Sequence, residues 1–166
     1  MYISIDKMPA TSRVWIYQAN RKLTEDEVRI IAESLAQFCD QWDAHGAPLQ
    51  TSYTVDHNRF AVLAVNEKAS APSGCSIDGS VRVLKNLEQE LHIDFFNREE
   101  IAFFNGKEIV AYPLKDLKKL FAGGILHENS VALNTLVQSL GEWMTKCRVM
   151  AGESWLKRYI PKVPVS

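Results

Sequence analysis

The stretch Phe60 to Val65 is six apolar residues without interruption, and nothing else in the chain narrows its fold so much. Bounded upstream by the polar turn Asp56-His57-Asn58-Arg59, it reads as a central strand, covered on at least one face and partly on the other. Residues 49 to 56 supply a strand on the other side of that turn, and Val14, Trp15, Ile16 and Tyr17 place an earlier one at 13 to 19. A helix must lie between them. Thr24 can cap it, Glu27 three residues on can reach back, and Leu23 can staple to Val28. Val28, Ile31, Ala32, Leu35, Cys39 and Trp42 then recur at helical spacing, with Gly46 after His45 as the stop.

Downstream, Val81, Leu84, Leu87 and Leu91 mark a second amphipathic helix over roughly 76 to 92, starting at Ser76 or Asp78. "IAFFNGKEIVAY" is a hairpin, with Asn105-Gly106 suited to a two-residue type I′ turn. "PLKDLKKLFAGG" is a short helix begun by Pro113 and ended by Gly123-Gly124. Leu133, Leu136, Val137, Leu140, Trp143 and Met144 predict a longer helix from about 130 to 147, after which the tail makes a turn of helix at most. The result is an α+β chain in which residues 13 to 112 follow the βαββαβ order of a ferredoxin-like sandwich. The hairpin adds a strand and 113 to 166 form a helical C-terminal extension of the same single domain, 1 to 166.

Charge and cysteines set the company such a chain keeps. With 19 Lys and Arg against 20 Asp and Glu among 166 residues, no global field recruits nucleic acid, although a local basic patch stays open. No apolar run approaches the ~20 residues of a membrane span, and the first residues lack a signal-peptide pattern. Cys39, Cys75 and Cys147 are odd in number and far apart, as suits free thiols in the cytoplasm. His45, His57, His92 and His127 are equally scattered, so no metal or other cofactor is predicted.

The stretch "SAPSGCSIDGSV" carries the candidate site. If strands one and three run side by side in the same direction, Gln18, Asn20 and Arg21 leave the sheet beside Asn66 and Glu67, with Ser73, Gly74, Cys75, Ser76 and Asp78 entering the second helix close by. Three chemistries fit. The helix start and Arg21 can hold a small anionic ligand, although Asp78 in the first turn would compete for the same N–H groups. The same dipole favours a thiolate, making Cys75 a nucleophile with Glu67 orienting or accepting protons. No histidine is local in sequence, and His57 falls at the opposite edge. On the third reading Ser76 and Asp78 only cap the helix, Gly74 permits a tight turn and Cys75 packs as a small hydrophobe.

Other residues have plainer explanations. Cys39 and Cys147 read as packing thiols, His45 as a group in the last turn of the first helix, and Trp15, Trp42, Trp143 and Trp155 as core anchors. "LKDLKK" reads as a solvated helix face. "WLKRYIPK" interleaves cations with aromatics as nucleic-acid surfaces do, but by composition it is a docking tail.

The segments "RVWIYQANRKLTEDEV", "SGCSIDGSV" and "ESW" together resemble an uncharacterised family of small bacterial proteins, some of whose members carry the label ABC transporter ATPase. The resemblance covers nearly the whole chain and adds weight to the Cys75 region. The label itself requires a G-x-x-x-x-G-K-[ST] loop and an LSGGQ-like signature, and this chain has neither: "FAGG" is a helix end, and "SGCSIDGS" lacks both the spacing and the lysine. The expectation is therefore a ligand- or partner-binding protein that is not an ATPase, with a Cys75-dependent enzyme and a protein-interaction module as alternatives.

Overall fold

In the computed structural model, which describes residues 1–162, the run Phe60–Val65 is the middle strand of a three-stranded antiparallel sheet. The chain divides into two compact units, Met1–Asn97 with Thr135–Met144, and Arg98–Asn134 with the chain from Thr145 onward. In the first unit the elements are β1 (Arg13–Gln18), α1 (Glu25–Gln41), the two-residue strands β2 (Asp43–Ala44) and β3 (Ala47–Pro48), β4 (Thr51–Asp56), β5 (Phe60–Val65) and α2 (Gly74–Leu91). The sheet order is β1-β5-β4.

β5 is central because it is buried on both faces. Ala61, Leu63 and Val65 pack with Ile31, Leu35 and Cys39 of α1 and with Leu84 and Leu87 of α2. On the opposite face Phe60 meets Trp143 from the returning segment, ring centroids 5.5 Å apart. Trp143 Nε1 donates to Asp56 Oδ2 at 2.7 Å, which satisfies the indole of a buried ring. That segment runs along β1, where Val14 N–H donates to the Gln138 carbonyl at 3.1 Å.

The two helices are antiparallel. Arg21, just before α1, donates to the Leu91 carbonyl at the end of α2, while Trp42, just after α1, donates through Nε1 to the Ser76 carbonyl in the first turn of α2. The predicted box at the start of α1 is present: Thr24 Oγ1 accepts from Glu27 N–H and Glu27 Oε1 from Thr24 N–H. The predicted stop is different. α1 ends at Gln41, and His45 and Gly46, with φ of 52° and 81°, form the turn of the small β2-β3 hairpin, so His45 belongs to no helix.

The second unit holds β6 (Glu100–Asn105), β7 (Glu108–Pro113), a 3-10 turn at Leu114–Asp116, α3 (Leu117–Ala122), β8 (Val131–Leu133), β9 (Arg148–Met150) and 3-10 turns at Ala151–Glu153 and Trp155–Tyr159. Its sheet order is β7-β6-β8-β9, antiparallel throughout. Phe103, Leu117, Phe121, Leu126, Ala132, Ala151 and Leu156 make its core. α4 (Leu140–Lys146) begins in the segment belonging to the first unit and ends in the second.

The α+β class holds, but the strands do not form one βαββαβ sheet. β6, the expected fourth strand, lies in a separate sheet, and the boundary at Asn97 falls inside the stretch expected to be one core. β1 and β5 are neighbours as expected, yet they run in opposite directions, with Gln18 facing Phe60 and Arg13 facing Val65. The helix predicted over 130 to 147 is replaced by β8, an irregular stretch and α4. Leu133 is buried in the second unit, Val137, Leu140 and Trp143 are buried in the first, and Leu136 and Met144 are 66% and 64% exposed. The Asn105-Gly106 turn also shifts by one. Asn105 pairs with Glu108, and the loop is Gly106-Lys107, with positive φ at Gly106 alone, the sign pattern of a type II′ turn.

Candidate functional site

The start of α2 lies two residues earlier than the periodicity predicts, and its polar groups bond one another. Ser73 is the N-cap: its Oγ accepts from Ser76 N–H at 3.1 Å, and Ser76 Oγ accepts from Ser73 N–H at 3.1 Å. Ser76 Oγ also donates to the Asp43 carbonyl at 2.7 Å. The two hydroxyls are 2.8 Å apart, so Ser73 donates to Ser76 and the relay ends on the backbone of β2. The geometry is that of the reciprocal capping box, extended by one step.

Gly74, Cys75 and Asp78 are exposed at this end of α2. A Cβ at Gly74 would meet nothing within 4 Å, so crowding does not demand glycine there. Among the described residues Cys75 Sγ has no hydrogen-bond partner, and the thiol is exposed rather than packed as a small hydrophobe. Asp78 stands outside the first turn, which contains no acidic residue, and so does not compete for the N–H groups there.

The other predicted residues do not converge on this turn. β1 leaves the sheet at Gln18 where β5 enters it, so Glu67, past the far end of β5, lies beside the start of β1 instead. Arg13 Nη1 is 3.3 Å from Glu67 Oε1. Arg21 binds both carboxylate oxygens of Glu27, at 2.8 and 2.7 Å, next to the C-terminal end of α2. With α2 rising about 1.5 Å per residue, Arg21 is roughly 25 Å from the turn that bears Cys75. Asn20 is held in the same region, exchanging backbone and side-chain bonds with Asp94 at 2.9 Å each. The arginine and the thiol therefore cannot share a small ligand.

A different concavity is present. An open groove of about 260 Å³ runs between α1 and α2, lined by Ser34, Gln37, Phe38 and Gln41 on one helix and Val83, Asn86, Leu87 and Glu90 on the other. Each set has the spacing i, i+3, i+4, i+7, the ridge that a helix offers to one neighbour. Phe38, Val83 and Leu87 form an apolar floor, and amides and a hydroxyl form the rim. The sequence contains a trace of it. Phe38, three residues after Leu35, and Val83, four before Leu87, are apolar residues that widen the stripes traced by Ile31, Leu35 and Cys39 and by Leu84, Leu87 and Leu91.

Among the described residues no three His, Cys, Asp or Glu side chains gather to hold a metal ion, and no helix is long and apolar enough to cross a membrane. Comparison of the chain with protein-family models, with curated proteins and with solved structures returned no match.

Proposed function

We propose that the first unit is a protein-interaction module that accepts a basic amphipathic helix in the groove between α1 and α2. The observation that carries this reading is the groove itself, with its two parallel ridges and apolar floor, set against a helix start whose hydroxyls are already bonded to the chain. A third helix laid along an antiparallel pair buries a strip of side chains at i, i+3, i+4 and i+7, which matches the floor of Phe38, Val83 and Leu87. Charge sets the sign of the partner. The residues of the first unit include 14 Asp and Glu against 9 Lys and Arg, and Glu90 stands at one end of the groove.

The test is an NMR titration of the isotope-labelled protein with an amphipathic Lys/Leu helical peptide, its Glu/Leu counterpart and a proline-broken version. The reading expects shifts confined to residues 34–41 and 83–90 with the first peptide alone, abolished by Asn86→Trp, which plugs the groove from an exposed position. Equal shifts with the Glu/Leu peptide, or shifts untouched by Asn86→Trp, would sink it.

The reading of Cys75 as a nucleophile retains one observation, an exposed thiol in the first turn of an 18-residue helix. Among the described residues no base is bonded to it, and Glu67 is engaged by Arg13.

A further inference from the structure

The near-balance of charge in the whole chain conceals a sorting between the units. The second unit has 10 Lys and Arg against 6 Asp and Glu, the reverse of the first. Its cations are not spread evenly. Lys115, Lys118 and Lys119 are exposed along the 3-10 turn and α3, whose Leu117 and Phe121 point the other way into the core. Lys157, Arg158 and Lys162 are exposed on and just after the Trp155–Tyr159 turn, whose Leu156 enters the same core. α3 and that turn pack directly against each other. Six exposed cations thus lie on two adjoining segments that share one core, with Asp116 and Glu153 the acidic residues nearest in the chain.

Aromatic rings border the same surface. Trp155 and Tyr159 are half-buried at the edge of the core, and the Arg158 guanidinium lies 5.4 Å from the Tyr159 ring centre. Lysine ammonium groups attract phosphates without reading bases, while rings and guanidinium planes offer stacking to bases that are not already paired.

We infer that this face of the second unit binds single-stranded nucleic acid, RNA or DNA, through its phosphates, with Trp155, Arg158 and Tyr159 as stacking groups. An anionic membrane would use the same cations but offers no bases to stack on the rings and the guanidinium, and a duplex keeps its bases stacked on one another. The inference is independent of the groove in the first unit.

Fluorescence anisotropy of labelled oligouridylate and oligothymidylate, titrated with the full chain over a range of salt concentrations, tests it. Six contacts to a single strand predict a slope of log K against log salt of about −4. Lys118→Glu with Lys119→Glu, or Lys157→Glu with Arg158→Glu, lowers the slope by about 1.4 and weakens binding at least about tenfold at low salt. Arg82→Glu, an exposed change in the first unit, leaves both unchanged. All these positions are exposed, so unchanged thermal melting shows that the variants are folded. Three results would each overturn the inference: no binding at low salt, binding indifferent to both double variants, or tighter binding to a duplex of equal length. Binding to anionic vesicles without binding to either oligonucleotide would overturn it in favour of a membrane surface.

Discussion

Arg21 grips Glu27 with both ends of its guanidinium, Nη1 to Oε1 at 2.8 Å and Nη2 to Oε2 at 2.7 Å, and the same carboxylate accepts the Thr24 N–H. The Arg21 hydrogen bonds and then the Thr24 N–H hold Glu27 down at about 2, from an ordinary value of 4.5. A carboxyl depressed in the folded state stabilises above its unfolded value and loses that contribution as pH falls toward the folded one. Arg21→Ala therefore destabilises the protein at neutral pH by about 1–2 kcal/mol, reduced by the partial exposure of Arg21. Urea melts of the two proteins should draw together between pH 4.5 and about 2. A gap that stays constant over that window would show that the pair does not set the acid limb.

Trp42→Phe removes the one donor to the Ser76 carbonyl from the side of the core while retaining most of the ring packing against Phe38 and Trp15. The loss is expected at about 0.5–1.5 kcal/mol, the net worth of one hydrogen bond, because the Ser76 carbonyl keeps its place in the helical ladder of α2. Hydrogen exchange adds a sharper readout, since protection should fall first in the opening turn of α2 rather than along the whole helix. Uniform loss of protection would point to a packing defect instead.

The three thiols should differ widely in alkylation. Cys75 is exposed, Cys147 half-buried, and Cys39 fully buried, where desolvation pushes its thiol up to about 12. Iodoacetamide labelling read by peptide mass spectrometry is expected to mark Cys75 first and Cys39 only after unfolding. Labelling of Cys39 at a rate comparable with Cys75 in the native protein would contradict the packing of α1 against β4.

Two glycines in helices give opposite expectations. A Cβ on Gly141 would lie 3.1 Å from Ala10 Cβ and 3.2 Å from the Ala10 carbonyl oxygen, and Gly141 N–H donates to that same carbonyl. Gly141→Ala must push the returning segment off its neighbour, at about 1–3 kcal/mol. A Cβ on Gly79 would meet only Phe38, at an ordinary 3.8 Å, so Gly79→Ala stabilises α2 by about 0.5–1 kcal/mol. Thermal melts of the two variants should move in opposite directions.

Local signals carried far into this fold and stopped where direction and distance began. Thr24, Glu27 and Leu23 announced α1, and the apolar run announced β5, because capping and burial are decided within a few residues. Whether β5 runs with β1 or against it leaves no mark on either strand's alternation, and that one choice carried Glu67 from the side of Arg21 to the side of Arg13. The stripe from Leu133 to Met144 misled for another reason: its members are buried in two different units or not at all, so their spacing reports no common face. A better signal was present. Ser139 and Glu142 form a capping pair, Glu142 N–H to Ser139 Oγ at 3.2 Å and Ser139 Oγ to Glu142 Oε1 at 2.9 Å, and they mark the start of α4 at Leu140. The groove was nearly invisible, because Phe38 and Val83 become meaningful only once α1 and α2 are known to lie side by side.

The return of residues 135–144 to the sheet also fixes an order of events on the ribosome. When synthesis has passed Asn97, β1, β4, β5 and both long helices have been made, yet the face of β5 that bears Phe60 still lacks Trp143, which lies 46 residues further on. Until that segment emerges, a nascent chain with a finished helical side presents an oily, hydrogen-bonded sheet on the other. The first unit to begin folding is thus the one that cannot finish until most of its neighbour has been made.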